Sequence, residues 1–559
     1  MIRTFKEHDI RKVQELSGKL WDFKVSAGEH SGTPYRLLVP GCWESLAEFS
    51  KYRGKAVYTT EFQGKGNVRL VFKGVSHTAN VSVNGNFVKT HYNAFTPFDA
   101  IVQNLSDGTH KLEVEVDNTF SEASSLHIPN DYMTYGGITR GVEVQQLEDI
   151  YIKKIFFTPV KKGNDWFAQV KVKNVNLSGE EKEVEVSFAL DNTLYRFKKQ
   201  RVGAGAELVL EEEFQFPNVK EWMMETPNLY LVHAKLSVDG KEVDDLIERI
   251  GFRTIKLDGR KILINGKQIR IKGFNRHEDH PHFGCAIPYE SMIYDLYFVK
   301  DLGANSIRTS HYPNDEIFLD LCDENGILIW EENHARGLEE KDMVNPNFKK
   351  QCADCIEEMI FEHYNHPSIF IWGILNECAS ETEYGRECYK EQFEQIESLD
   401  SSRPTTFASN KHYKDLCFSY PTVISNNFYP LWYFETPVEE MMGKLMKYAD
   451  EQCNEVKKPY IVSEIGSGAI YGCHSHTRDK WTEEFQYDNL KRQVEPILEN
   501  EECTGVYVWQ FTDVRVSTEW AMQRPRTHNN KGVLDEYRRE KMGYYAIKEV
   551  FARYGNYFE

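Results

Sequence analysis

From about residue 254 to the end of the chain, short apolar runs alternate with long amphipathic stretches, and this rhythm constrains the fold more than any other feature. The runs lie at 269–273, 305–308, 327–330, 369–372, 405–408, 423–425, 460–463 and 505–509, and are rich in isoleucine, valine, threonine and aromatic residues. Apolar runs of this length bounded by polar residues read as buried parallel strands. The stretches between them carry helical periodicity, as at 292–302, 347–363 and 386–399. Eight such units in succession predict a (β/α)8 barrel.

Ahead of the barrel the pattern is different. Residues 1–146 hold short alternating segments such as 56–62, 68–72 and 112–116, separated by turn dipeptides including Asn84-Gly85 and Asp107-Gly108. That is the pattern of an all-β domain, and a jelly-roll sandwich is expected. Residues 147–253 alternate in the same way, at 167–172 and 184–188, over a length that suits an immunoglobulin-like β-sandwich. A chain of 559 residues is too long for one core, so a three-domain protein is expected, divided at 1–146, 147–253 and 254–559.

The net charge of −19 leaves no basic surplus to neutralise phosphates, which argues against nucleic acid and against an anionic membrane as partners. An anionic substrate would need a locally positive pocket. The first residues contain no apolar leader, and no stretch is long enough for a membrane helix, so a cytoplasmic location is expected. Eleven cysteines without framework spacing suit a reducing compartment. Cys352 and Cys355 form a C-x-x-C inside a helical pattern with no second pair, which reads as packing rather than metal or redox chemistry. Sequons at Asn80, Asn104 and Asn176 read as chance matches. Neither a metal nor a cofactor is expected, since no His/Cys cluster has ligand spacing.

Two glutamates carry the chemistry. Glu377 closes the run after strand four and Glu464 the run after strand seven. The residue past such a strand stands at the barrel mouth, where ligands bind. Taken singly, a glutamate there is most often a solvated loop residue. Taken together, two carboxylates can divide the work of glycoside hydrolysis, one protonated to release the leaving group and one ionised to meet the oxocarbenium-like carbon. The acid must be held protonated by burial and its neighbour, and the nucleophile must be kept ionised by hydrogen bonds and cations.

The segment 305–313 (Asn-Ser-Ile-Arg-Thr-Ser-His-Tyr-Pro) continuing to 323–330, and the segment 365–377 ending in Asn376-Glu377, resemble the two signatures of glycoside hydrolase family 2. The resemblance extends over essentially the whole chain. It implies that Glu377 is the general acid/base and Glu464 the nucleophile, with Tyr429 supporting the nucleophile and Asn376 binding the sugar 2-hydroxyl. Arg308, His311 and His277 match residues lining the sugar subsite, though Arg308 and His311 could also be structural ties and Tyr429 wall packing. A homodimer or homotetramer is implied as well.

Near the end, Asn529 and Lys531 resemble the Asn-x-Lys motif by which the family's β-glucuronidases hold a uronic acid carboxylate. The chemistry suits it, because a carboxylate needs a donor-only cation and an amide donor. Arg526 is expected beside them, with Arg524 adding positive potential. The alternative is an ordinary solvated loop. Asp131, from the first domain, resembles an aspartate that reaches in to bind a sugar hydroxyl, and Trp509 a companion tryptophan. Arg336 departs from the pattern, standing where those glucuronidases carry a small apolar residue. It either favours an axial 4-hydroxyl, making galacturonides substrates, or pairs on the surface with Glu339 or Glu340. Few residues, 337–347, separate strand three from its helix, so the site resembles the loop-poor, open kind that accepts oligosaccharide leaving groups. The expected activity is therefore retaining exo-β-D-uronidase, acting on glucuronides or galacturonides. A β-galactosidase, or a non-hydrolytic carbohydrate-binding protein on the same scaffold, is the alternative.

Overall fold

The computed structural model describes residues 2–558. Its eight parallel barrel strands are β1 (Ile271–Asn275), β2 (Ser306–Arg308), β3 (Leu328–Glu332), β4 (Ile369–Ile374), β5 (Thr405–Phe407), β6 (Ile424–Asn427), β7 (Tyr460–Ile465) and β8 (Gly505–Val508). They pair in sequence order, with β8 against β1. Between β5 and β6 the contact narrows to a parallel bridge, Ser409 to Asn426, which joins the two sheet ends. The eight units read from the sequence are all present. One detail differs: Glu464 lies inside β7 rather than after it, because the ladder to β8 continues through Ile465.

The barrel is a packed core. Leu328, Trp330, Ile371, Ile461 and Tyr507 fill its lower half with residues fully or almost fully withdrawn from water, each contributing on the order of 1.5–3 kcal/mol by burial. The hairpin strands Ile255–Asp258 and Lys261–Ile264 close the foot, placing Ile262 and Ile264 in the same cluster. Outside, the helices follow their punctuation. The helix Glu316–Asn325 begins where Asp315 accepts from the Ile317 amide at 3.0 Å and ends at Gly326, φ 68°. A side chain at Gly326 would meet the Met224 carbonyl, so only glycine fits there. Cys352 and Cys355 are buried with free thiols in the helix Phe348–His363. The short connection after β3 contains one further turn of helix, Glu340–Met343.

Strands from Val13–Glu15 to Val142–Leu147 form the first sandwich, around Trp21, Trp43, Tyr58 and Phe72. The second has a three-stranded sheet, Ile150–Lys162, Asp165–Asn176 and Glu207–Phe216, facing a sheet built on Lys182–Leu190, Tyr230–Val238 and Lys241–Ile250. Phe157, Trp166, Phe188 and Phe252 pack between them, which is the immunoglobulin-like arrangement. The N-terminal segment crosses to its neighbours: Arg11 pairs with Asp244 at 2.7 Å and Arg3 with Asp320 of the barrel at 2.9 Å. Among the described residues, no helix is long and apolar enough to cross a membrane.

Candidate active site

The C-terminal ends of the barrel strands enclose a cavity of about 280 Å³ whose lining includes Glu377, Glu464, Tyr429, Asp131, Arg336, Trp509 and Lys531. All seven were singled out from the sequence. Glu377 is carried past β4 on an unusual backbone, with Leu375 at φ 35° and Glu377 at φ 55°. Non-glycine residues adopt this region at a cost of about 1–3 kcal/mol, and only where their surroundings over-determine them. Three backbone bonds do so: Asn376 N–H to Ala335 O at 3.0 Å, Gly337 N–H to Asn376 O at 2.8 Å, and Glu377 N–H to Ala408 O at 2.9 Å.

Each carboxylate has its own donors. Glu464 accepts from Arg308 Nη1 at 2.9 Å and from the Tyr429 hydroxyl at 2.7 Å. Glu377 accepts from Asn427 Nδ2 at 2.9 Å and faces Arg336 Nη2 at 3.5 Å. Arg308 is fully buried and gripped in turn by Glu332, at 2.8 and 2.9 Å, so its direction toward Glu464 is not free to vary. Arg308 also donates to Asn376 Oδ1 at 2.8 Å, which turns the Asn376 amide NH2 away. That Nδ2 is buried with no protein acceptor, a donor available for a sugar hydroxyl.

The electrostatics differ from expectation at one point. Arg308 and Tyr429 do favour the ionised form of Glu464, but burial and the facing Glu377 charge outweigh them and raise its pKa to about 7. The donors are fixed for an anion that burial beside Glu377 makes costly. A carboxyl raised from 4.5 to about 7 on folding contributes stability that is fully present below about pH 4.5 and is lost as pH rises through 7. The Glu464→Gln variant lacks this penalty. Its stability relative to the parent is expected to improve by up to about 3 kcal/mol between pH 4.5 and 8. Denaturant unfolding at the two pH values checks this, and a pH-independent difference contradicts it.

His311 and His277 lie behind the wall. His311 stacks on Trp509, with ring centroids 5.2 Å apart, and meets Glu332 Oε1 at 3.0 Å. Burial drives both imidazoles toward neutrality, His277 to about 3. They are neutral wall groups rather than cations.

At the other end of the cavity the Lys531 ammonium, 4% exposed, sits 5.3–5.7 Å from the centroids of Tyr429, Trp432 and Tyr433. Its hydrogen bond goes to the Tyr433 hydroxyl at 3.1 Å, and among the described residues it makes no ion pair. Burial alone would raise the Tyr433 hydroxyl, but Lys531 overcomes it and lowers the pKa. Asn529 is buried alongside, with Nδ2 donating to Asp131 Oδ2 at 3.0 Å. Asp131 also takes Arg524 Nε at 2.7 Å, so each of its oxygens accepts a protein donor while the residue lines the cavity.

Two expectations are corrected. Arg526 is not brought to the cavity: the backbone turns at φ 61° there, and its guanidinium pairs with Glu536. Arg524 lines the cavity in its place. Nor does Arg336 pair on the surface. Its Nη1 donates to Asn130 Oδ1 at 2.8 Å, while Glu339 pairs with Lys341. The parallel bridge between Arg336 and Asn376 aims the side chain inward. The sequence reading missed Asn410, His412, Asn427, Tyr433 and Phe434, which also line the cavity. Asn427 ends β6 and was findable as a polar strand end; Asn410, Tyr433 and Phe434 lie outside regular elements and His412 opens one 3-10 turn, His412–Lys414, without a local signal. Among the described residues, two groups could hold an ion by proximity, Asp9 with His233 and Asp245, and Asp320 with Asp323 and His366. Both are already compensated, Asp320 by Arg3 and Arg249, and Asp245 by three backbone amides and His233.

Residues 255–554 match the TIM barrel domain of the glycosyl hydrolases family 2, residues 150–253 the family 2 domain, and residues 46–189 the family's galactose-binding domain-like model. Among solved structures, the chain is similar to a family 2 β-galacturonidase from Eisenbergiella tayi with galacturonate bound, at 50% identity and a TM-score of 0.98 over 100% of both chains. A β-glucuronidase from Chlorocebus aethiops is 26% identical, over 99% of this chain and 93% of that protein. A β-galactosidase from Thermoanaerobacter pseudethanolicus is 32% identical, over 64% of this chain and 46% of that protein.

Proposed function

The chain belongs to glycoside hydrolase family 2, and from that premise we propose that it is a retaining exo-β-D-uronidase that prefers β-D-galacturonides to β-D-glucuronides. The observation that carries the uronide reading is Lys531: a cavity-lining ammonium, almost wholly buried, with a phenol for a hydrogen-bond partner and no carboxylate. Burying an unpaired cation is costly, and a substrate carboxylate would complete it. A neutral galactoside would leave it as it is. Arg524, held by Asp131 on the same wall, adds positive potential.

In the first step the Glu464 carboxylate attacks the anomeric carbon as Glu377 gives its proton to the glycosidic oxygen, breaking the bond to the leaving group. In the second, Glu377 takes a proton from water, whose oxygen displaces Glu464 and restores the β configuration. Arg308 and Tyr429 would hold the Glu464 oxygens in place through both steps, and the free Asn376 amide would donate to the sugar 2-hydroxyl.

The preference at C4 rests on Arg336 and on the likeness to the Eisenbergiella protein. A donor-only guanidinium in the wall favours an axial hydroxyl that reaches it over an equatorial one that does not. The kcat/KM for 4-nitrophenyl β-galacturonide is expected to exceed that for the glucuronide by about 10- to 100-fold, the range of a hydrogen bond to a charged group. Arg336→Ala should flatten that ratio. Equal rates in the parent would reject the preference, and faster turnover of the galactoside than of either uronide would reject the uronide reading.

A further inference from the structure

A second cavity, of about 200 Å³, lies at the opposite end of the barrel, between its foot and the second sandwich. Its walls come from 157–161 and 250–256 on one side and from residues just ahead of β4 and β5 on the other. Four cationic side chains line it, Lys161, Arg253, Lys256 and Arg403, and no aspartate or glutamate does. In a chain of net charge −19 that is a marked local reversal.

Two of the four charges are compensated, Lys161 by Glu221 and Arg403 by Asp400. The other two have no ion pair among the described residues. Arg253, 7% exposed, gives Nε to the Pro367 carbonyl and Nη2 to the Ile369 carbonyl, both at 2.6 Å, and among the described residues its Nη1 meets no acceptor. Lys256 stands exposed at the rim. Burial, followed by repulsion from Arg403, lowers the Arg253 pKa to about 9. A buried guanidinium with a spare donor, next to a second arginine and an exposed ammonium, is the arrangement that an oxyanion completes.

We propose that this cavity binds a small tetrahedral oxyanion, phosphate or sulfate, which bridges Arg253 and Lys256 and fastens the second sandwich to the barrel foot. Because the bound anion touches both domains, its binding energy adds to the stability of the folded chain. Turnover at the far end of the barrel is unaffected.

The test is thermal unfolding of the full chain at constant ionic strength, with chloride replaced by 20 mM phosphate or, in a second arm, by sulfate. The parent is expected to gain about 2 °C in Tm in at least one arm. Lys256→Gln, a substitution at an exposed site, should lose at least half of that gain, and Arg253→Gln should lose it also. If Arg253→Gln does not fold, Lys256→Gln decides alone. The active site is itself cationic, so Lys531→Ala is the control: it should keep the gain. No gain in the parent, an equal gain in Lys256→Gln, or a gain abolished by Lys531→Ala would each overturn the proposal. The arm that gives the larger gain distinguishes phosphate from sulfate.

Discussion

Exchange of Glu464 for glutamine is expected to lower kcat/KM on an aryl β-uronide by about four orders of magnitude or more, the scale set by removal of an enzymatic nucleophile. The substitution keeps the shape of the side chain and, through its amide oxygen, an acceptor for Arg308, while its NH2 faces the Tyr429 hydroxyl as a donor. The loss would therefore report on the carboxylate itself. A smaller residue at the same place adds a stereochemical readout. In Glu464→Ala the space beneath the anomeric carbon is free, so azide attacking from that face should restore turnover and yield the α-glycosyl azide. Removal of Glu377 instead leaves the nucleophile in place, and azide should then give the β product. Parent-like activity in Glu464→Gln, or the β azide from Glu464→Ala, would remove Glu464 from the role of nucleophile.

The second large effect is expected at Lys531. Truncation to alanine removes the ammonium that faces the cavity between three aromatic rings. The kcat/KM for uronides should fall by about 100- to 1,000-fold, since a buried charge-assisted contact contributes roughly 3 kcal/mol or more when one partner is taken away. Slow turnover of the corresponding neutral galactoside should change little. Comparing the two substrates on the parent and the variant separates loss of recognition from general damage. A parallel drop on both would mean that Lys531 supports the wall formed by Tyr433 and Trp432 rather than reading the substrate.

The barrel was legible in the sequence because its strands are buried on both faces, so that each became a continuous apolar run ending at a polar residue. Arg308 stands at such an end, Asn376 and Glu377 just past one, and Glu464 one residue short of one. What stayed hidden depends on chain direction rather than on residue type. Arg524 and Arg526 are equivalent in composition and two positions apart, and it is at a turn with two left-handed residues, Arg526 and Thr527, that the second leaves the cavity to pair with Glu536. His412 and Phe434 come from loops whose paths are set by their contacts with distant segments, the His412 ring meeting the Asn427 carbonyl at 3.2 Å. The charge state of Glu464 was also hidden. Sequence shows that a carboxylate has cationic and phenolic donors, but not that the loss of water outweighs them.

Asn130 and Asp131 belong to the first sandwich, yet they meet the barrel through Ser517, Arg336, Arg524 and Asn529. On the proposed reading, part of the wall that a sugar would face is thus mounted on a separate scaffold from the two acids. On that reading, substitutions in the loop of Asn130 and Asp131 would retune selectivity while the barrel frame of Arg308, Glu332 and Asn376 stays untouched.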